Sequence, residues 1–315
     1  MSRVVYFVAS HVNPPQIARL VRALRSGGPD SCVVINHAYR VSHLDRDLFR
    51  GLDGVEFVEP QRSPEWGDFA MTRVVLAALD WIVARRDFDW VVYLSGQDYP
   101  IRPLAEIEQF LATTASDGFV AGRPVDPTSP GDREFVERYT FRYHALPRFP
   151  AAAYAPRALR AVGERLRTAI SRAQPVVKVR RWGGHTQVGF RCARPPFGPT
   201  LPLYKGSAWW TLSRRAVAYL QQFVRDHPEV VRHYAHTFAA GESLYATILR
   251  NATTLRISAD NYRYIRWVGA NAHPEILTVA DFEAMRASGK HFARKIDMAR
   301  DAQLLDLIDR AIGCA

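Results

Sequence analysis

Two carboxylates stand where a chain could do chemistry. Asp98 closes Ser95-Gly96-Gln97-Asp98 directly after the apolar run Trp90–Leu94, and Glu242 follows Gly241 at the head of an apolar helical turn. Gly96 lets the backbone turn sharply and Pro100 fixes the exit, so Asp98 is held at the end of a strand. It serves there either as a turn aspartate bonded to its own backbone or as a ligand for a hydroxyl-bearing molecule. Glu242 has two roles as well: a carboxylate favoured by a helix dipole, or a base that takes a proton from an attacking hydroxyl. Four cations follow, Arg263 and Arg266 in NYRYIRW and Arg294 and Lys295 in HFARKID. Such groups offer charge-assisted bonds to phosphate oxygens or serve as ordinary surface charge.

A metal-dependent phosphate site asks for paired carboxylates, because Mg²⁺ and Mn²⁺ prefer oxygen ligands. The turn after the central strand holds one. A literal Asp-x-Asp occurs at Asp87-Phe88-Asp89, but it precedes the strand and belongs at the opposite edge of the sheet, as a surface turn. No metal site is expected.

The elements that must carry these residues alternate in type. Strands are expected over 3–11, 31–37, 55–60 and the run from Trp90. Helices are expected from Pro14 to about Arg25, through 64–86, and over 103–114. Alternation of this kind predicts an α/β fold with a mostly parallel sheet covered by helices on both faces. Ligands of such sheets bind beyond the carboxyl ends of the strands. Ser10-His11, Asn36-His37 and Ser95–Asp98 should therefore meet in one crevice. Residues 124–150 read as loop-rich. Then come an amphipathic helix with nine Lys or Arg between Arg157 and Arg191, a strand and helix over 208–227, a short helix after Gly241, strands at 254–258 and 261–268, and a capped helix at 278–289. There is no repeat, low-complexity linker or composition shift, which favours one domain. Its expected parts are 1–123, 124–270 and 271–315, and it is a family resemblance that implies their roles: nucleotide binding, acceptor binding with catalysis, and a C-terminal segment closing over a diphosphate.

With 315 residues, 48% of them hydrophobic, the chain can bury a large core, which excludes disorder over most of its length. Cys32, Cys192 and Cys314 are too scattered for a disulfide framework and favour a reducing compartment, so the cytoplasm is expected. The N-terminal apolar run is too short for a secretory core or a membrane span and reads as a first strand. Peripheral membrane contact is compatible with the net charge of +11. Nucleic acid is not an expected partner, because no finger spacing, helix-turn-helix or aromatic platform accompanies the charge.

Taken together, YLSGQDYPI (93–101), KGSAWWTLSRRAVAYL (205–220), ESLYATIL (242–249) and FARKID (292–297) resemble, in order and spacing, glycosyltransferase family 14. This family comprises the core-2/I-branching β-1,6-N-acetylglucosaminyltransferases and peptide O-xylosyltransferases. WGDFAMTRVVLAAL (66–79) adds a weaker fifth block. The resemblance implies a GT-A nucleotide-sugar-binding fold and inverting transfer without a divalent metal or other cofactor. The substrates would be a UDP-sugar donor, carrying N-acetylglucosamine or xylose, and a carbohydrate, glycoside or other hydroxyl-bearing acceptor. It makes Glu242 the base and Lys295 a ligand of the donor diphosphate, shared with Arg263 or Arg266. Arg294, His11, Asn36 and Ser207 join the expected donor side, and Asp98, Gln97, Trp209, Trp210, Arg142 and Tyr143 the acceptor side. Without the membrane anchor, stem and cysteines of animal members, the chain looks like a bacterial cytoplasmic one. A non-catalytic sugar- or nucleotide-binding protein is the competing reading.

Overall fold

The structure, a computed structural model, describes residues 2–59, 69–146, 175–182, 185–269 and 273–314. β1 (Val4–Ser10) is a run of seven buried residues, as a central strand covered on both faces must be. α1 (Pro14–Leu24) follows, its N-terminus fixed by two prolines, then β2 (Cys32–His37) and β3 (Val55–Phe57). α2 (Phe69–Arg85) leads into β4 (Trp90–Ser95), and a tight turn into β5 (Asp98–Pro100). Next come α3 (Leu104–Thr113), β6 (Gly118–Pro124), α4 (Arg133–Thr140) and β7 (Phe141–Ala145). The hairpin β8 (Val177–Trp182) and β9 (His185–Arg191) precedes β10 (Tyr204–Ser213), α5 (Arg214–Asp226), α6 (Pro228–Tyr234) and α7 (Leu244–Arg250). β11 (Ile257–Ser258), β12 (Arg263–Ile265), α8 (Phe282–Ala287), β13 (Phe292–Arg294) and α9 (Ala302–Ile312) complete it.

The main sheet has the order β11-β6-β10-β4-β1-β2-β3. All its pairings are parallel except those of β10, which lies antiparallel between β4 and β6. Alternation along β1 divides the core into two layers. Val4, Tyr6 and Val8 pack with Ile17 and Leu20 of α1, Leu104 and Ile107 of α3, and Leu304 and Ile308 of α9. Val5 and Phe7 pack on the other face with Val75 and Leu79 of α2, Val217 and Leu220 of α5, and Ile248 of α7. The expected α/β architecture, a mostly parallel sheet flanked by helices, is what the chain forms.

Two smaller sheets attach to this frame, β12-β13-β5 and β7-β9-β8. The first hangs the C-terminal strand β13 on β5, immediately below the β4 turn. The second corrects the loop-rich reading of 124–150 over 133–145, its last four residues lying outside the described ones: Phe135 and Tyr139, four residues apart, bury one face of α4, and β7 pairs with β9. The Arg-rich helix expected after Arg157 lies outside the described residues, and the end of that basic stretch forms the β8–β9 hairpin. β10 crosses its neighbours closely at Gly206, where a Cβ would stand 2.5 Å from the Ala121 carbonyl oxygen and 2.6 Å from the Ala246 Cβ.

Candidate active site

A crevice opens beyond the carboxyl ends of β1, β2 and β4, and the three expected loops do meet there: Ser10 and His11, Asn36, and Ser95 and Gln97 line it. Met71, Thr72, Val74 and Val75 of α2 line it too, with the Gly241–Glu242 turn set against Thr72. Trp209 of β10 and Arg294 complete the lining.

Glu242 sits on a 3-10 turn, Ala240–Glu242, that follows Ala239 in the left-handed region at φ 51°. The Tyr139 hydroxyl fastens that turn by donating to the Ala239 carbonyl at 2.9 Å. Glu242 does not cap α7. Its Oε2 accepts from Nη1 of Arg138 at 3.2 Å, and Arg138 is steadied by Glu134 at 2.9 Å. Burial lifts the Glu242 carboxyl above its ordinary value, and the Arg138 and Lys205 charges oppose the rise. A carboxylate so placed can accept a proton from a hydroxyl bound in the crevice.

Arg294, the last residue of β13, supplies the cation of the crevice lining, and Lys295 follows it outside that lining. Arg294 donates through Nη1 to the Ser95 hydroxyl at 2.6 Å and to Oδ2 of Asp98 at 3.3 Å, and its guanidinium lies 4.2 Å from the centre of the Trp209 ring. Lys295 is half-buried, and burial together with Arg294 pushes its ammonium pKa down. Backbone bonds lock its segment: Leu277 N–H donates to the Lys295 carbonyl at 2.8 Å and Ile296 N–H to that of Gln97 at 2.9 Å. His11 reports the same field, since burial first, then Lys295, His37 and Arg294, lower its pKa.

Several expected ligands lie elsewhere. Asp98 is wholly buried and accepts from Ser95 N–H and Arg294, so it presents no oxygen to a sugar. Trp210 has 0% exposure, packs on Tyr93 and Tyr245, and is core, not crevice lining. Arg263 is buried too, donating to the Asn261 and Tyr93 carbonyls at 3.0 and 3.2 Å and stacking on Phe292. Arg266 pairs with Asp281 at 3.0 Å, away from the crevice lining. Ser207 turns its hydroxyl to the Trp209 N–H at 3.2 Å. Tyr143 is buried under the Arg180 guanidinium, with Arg142 exposed beside it, and neither lines the crevice. Asn36 does line it while donating to the Val58 carbonyl at 3.1 Å.

Sequence reasoning missed Arg138, which the Phe135/Tyr139 spacing signals once α4 is seen as a helix. It also missed Gln16. This buried amide donates to the Gly96 and Ile296 carbonyls at 2.8 and 3.0 Å and accepts from Met298 N–H at 2.7 Å, tying α1, the β4 turn and the Lys295 segment together. Asp87 and Asp89 lie at the opposite end of β4, paired with Arg3 and Arg214. Among the described residues no cluster of three or more His, Cys, Asp or Glu is placed to hold a metal ion. No helix among them is long and apolar enough to cross a membrane.

Comparison with known proteins bears on this site. The sequence profile of the family described as Core-2/I-Branching enzyme matches residues 5–287. The β-glucuronosyltransferase GlcAT14B of Arabidopsis thaliana is 36% identical over 112 residues, covering 34% of this chain and 25% of that protein. GlcAT14A of the same plant, also named a β-glucuronosyltransferase, is 23% identical, covering 96% of this chain and 65% of its own. The xylosyltransferase oxt of Drosophila pseudoobscura pseudoobscura is 22% identical, covering 79% and 24%. The chain thus spans from about a quarter to just under two thirds of the length of these curated relatives.

Proposed function

This chain belongs to the Core-2/I-branching enzyme family, and from that premise we propose that its crevice transfers a sugar from a UDP-sugar to an acceptor hydroxyl with inversion. The acceptor oxygen attacks C1 of an α-linked donor. As the new C1–O bond forms, the bond from C1 to the diphosphate oxygen breaks, the acceptor proton passes to Glu242 and UDP leaves. The product is a β-glycoside. The observation that carries this reading is the presence, in one crevice, of a half-buried carboxylate, Glu242, held by Arg138, together with the guanidinium of Arg294.

Arg294 and Lys295 balance the charge that develops on the departing diphosphate, and stabilising that charge together with positioning the reactants supplies much of the rate. A divalent metal is not needed in this reading, because guanidinium and ammonium groups take its place. His11 and Asn36 lie on the donor side and Trp209 offers an apolar ring face to a sugar. The C-terminal segment from 271, which carries Arg294 and Lys295, closes the donor side. N-acetylglucosamine and xylose are the sugars proposed for the donor, and the relatives' names add glucuronic acid. We assign the reaction to the cytoplasm, in keeping with three unpaired cysteines.

The test is transfer measured against a panel of UDP-sugars, with and without EDTA. Glu242→Gln should nearly abolish turnover while UDP affinity stays within a few fold. Wild-type turnover in Glu242→Gln refutes the base, and activity lost in EDTA and restored by Mn²⁺ refutes metal independence. UDP binding without transfer to any acceptor favours a non-catalytic binding protein.

A further inference from the structure

Resting on the reading of Arg294 as a diphosphate cation, the geometry points to Asp98 as the residue that positions Arg294, with Arg263 as the buried counter-charge that keeps Asp98 from cancelling it. The strand register alone sets up the arrangement. β13 runs antiparallel to β5, and Arg294 is the cross-strand partner of Asp98. β12 runs parallel to β13 on its other side, which places Arg263 opposite Phe292. One small sheet therefore delivers three charged residues to the ground beneath the β4 turn.

Their surroundings differ in a way that sorts their roles. Asp98 is 0% exposed, and its Oδ1 has no hydrogen-bond partner. A buried carboxylate held in this way is costly and is kept only where neighbouring cations compensate it. Arg263 is 5% exposed, and its guanidinium is spent on two backbone carbonyls and the Phe292 ring. Burial pushes its pKa down to about 10, and the Asp98 charge is the largest influence working the other way. It stays cationic and out of reach of a ligand. Only Arg294 reaches the crevice, with its side chain 16% exposed, anchored by the Ser95 hydroxyl and Asp98 and laid against Trp209.

The sum of charges explains why three are present. Arg294 and Asp98 alone would offer the crevice a neutral pair. With Arg263 behind them the group carries one net positive charge, and its outermost member is the guanidinium fixed over Trp209. Asp98 is thus a positioning residue, and Arg263 acts through it rather than on the ligand.

The experiment uses UDP as probe in isothermal titration, with thermal unfolding recorded on the same full-length variants. Arg294→Ala should weaken UDP, and Asp98→Asn should weaken it by about tenfold, the scale of one charge-assisted contact. Adding Asp98→Asn to Arg294→Ala should change UDP affinity by less than about twofold, because residues acting through one another are not additive. Asp98→Asn also leaves Arg263 uncompensated and lowers Tm. Asp98→Asn/Arg263→Gln, which removes both buried charges, should regain Tm while UDP binding stays weak. A purely structural Asp98 would regain both. The proposal is overturned by that joint recovery, or by effects of Asp98→Asn and Arg294→Ala that multiply. If Arg294→Ala leaves UDP binding unchanged, the donor-site reading itself fails and takes the proposal with it.

Discussion

Replacing Arg138 by Met tests how Glu242, the proposed base, is tuned. The Arg138 guanidinium lies 3.2 Å from Oε2 of Glu242 and favours its ionised form, while burial favours the neutral one. Unit charges about 4 Å apart interact by roughly 1 kcal/mol in water and about 4 kcal/mol near a protein surface. The two side chains are 25% and 39% exposed, so solvent screening holds the interaction toward the lower end, at about 1.5 kcal/mol. That corresponds to about one pH unit. Losing the cation raises the Glu242 pKa, so a larger share of the base is protonated at a given acidic pH. The acid limb of kcat/KM against pH, which reports the free enzyme, should move up by about one unit. The plateau above it should stay within a few fold, since Met keeps much of the contact with Phe135 and Phe238. An acid limb that stays in place, or shifts to lower pH, refutes the coupling of Arg138 to the base.

Two further outcomes follow from the core and the sheet. Burial and the neighbouring cations Arg263 and Arg102 lower the His291 pKa from about 6.5 to about 4, so the fold favours the neutral ring. That preference stabilises fully above about pH 6.5 and is lost as pH falls toward 4, by up to about 3 kcal/mol. His291→Phe, which keeps a ring stacked on Tyr262, should show a smaller fall in Tm over that window, and an unchanged fall refutes the assignment. Gly206→Ala forces a Cβ against the Ala121 carbonyl and Ala246 and should cost about 1–3 kcal/mol in chemical denaturation. A loss under about 0.5 kcal/mol would show that β10 can shift there.

Much of this was legible because it depends on local pattern. Six apolar residues in β1, the prolines opening α1 and the polar ends of β1, β2 and β4 place the crevice without knowledge of the fold. The glycine before Glu242 and the apolar turn after it mark the residue but leave its role open, and only the family resemblance of ESLYATIL implies a base. What sequence did not show is which of two like residues is buried. Trp209 and Trp210 are adjacent and chemically alike, and both pack on Tyr93, yet one lines the crevice and the other is core; the register of β10 against β6 shifts just there. Arg263 and Arg294 differ likewise: both are arginines near aromatic rings, and only the packing of β12 against β13 decides which is buried. Arg138 escapes the sequence because the two helical turns carrying Phe135 and Tyr139 sit in a stretch whose prolines and glycine read as loop.

The position of β10 also bears on how the chain is made. β4 and β6 leave the ribosome well before their shared neighbour, and about a hundred residues separate the end of β4 from Ser213. At synthesis rates of about 5–20 residues per second, that interval lasts on the order of ten seconds. Throughout it the apolar strand Trp90–Ser95 has β1 on one side and no mate on the other, which is the kind of free strand edge that invites pairing with other chains. The β1–β4 part of the sheet is thus committed to wait for the segment that supplies Trp209, and the nascent chain is most exposed to aggregation between those two events.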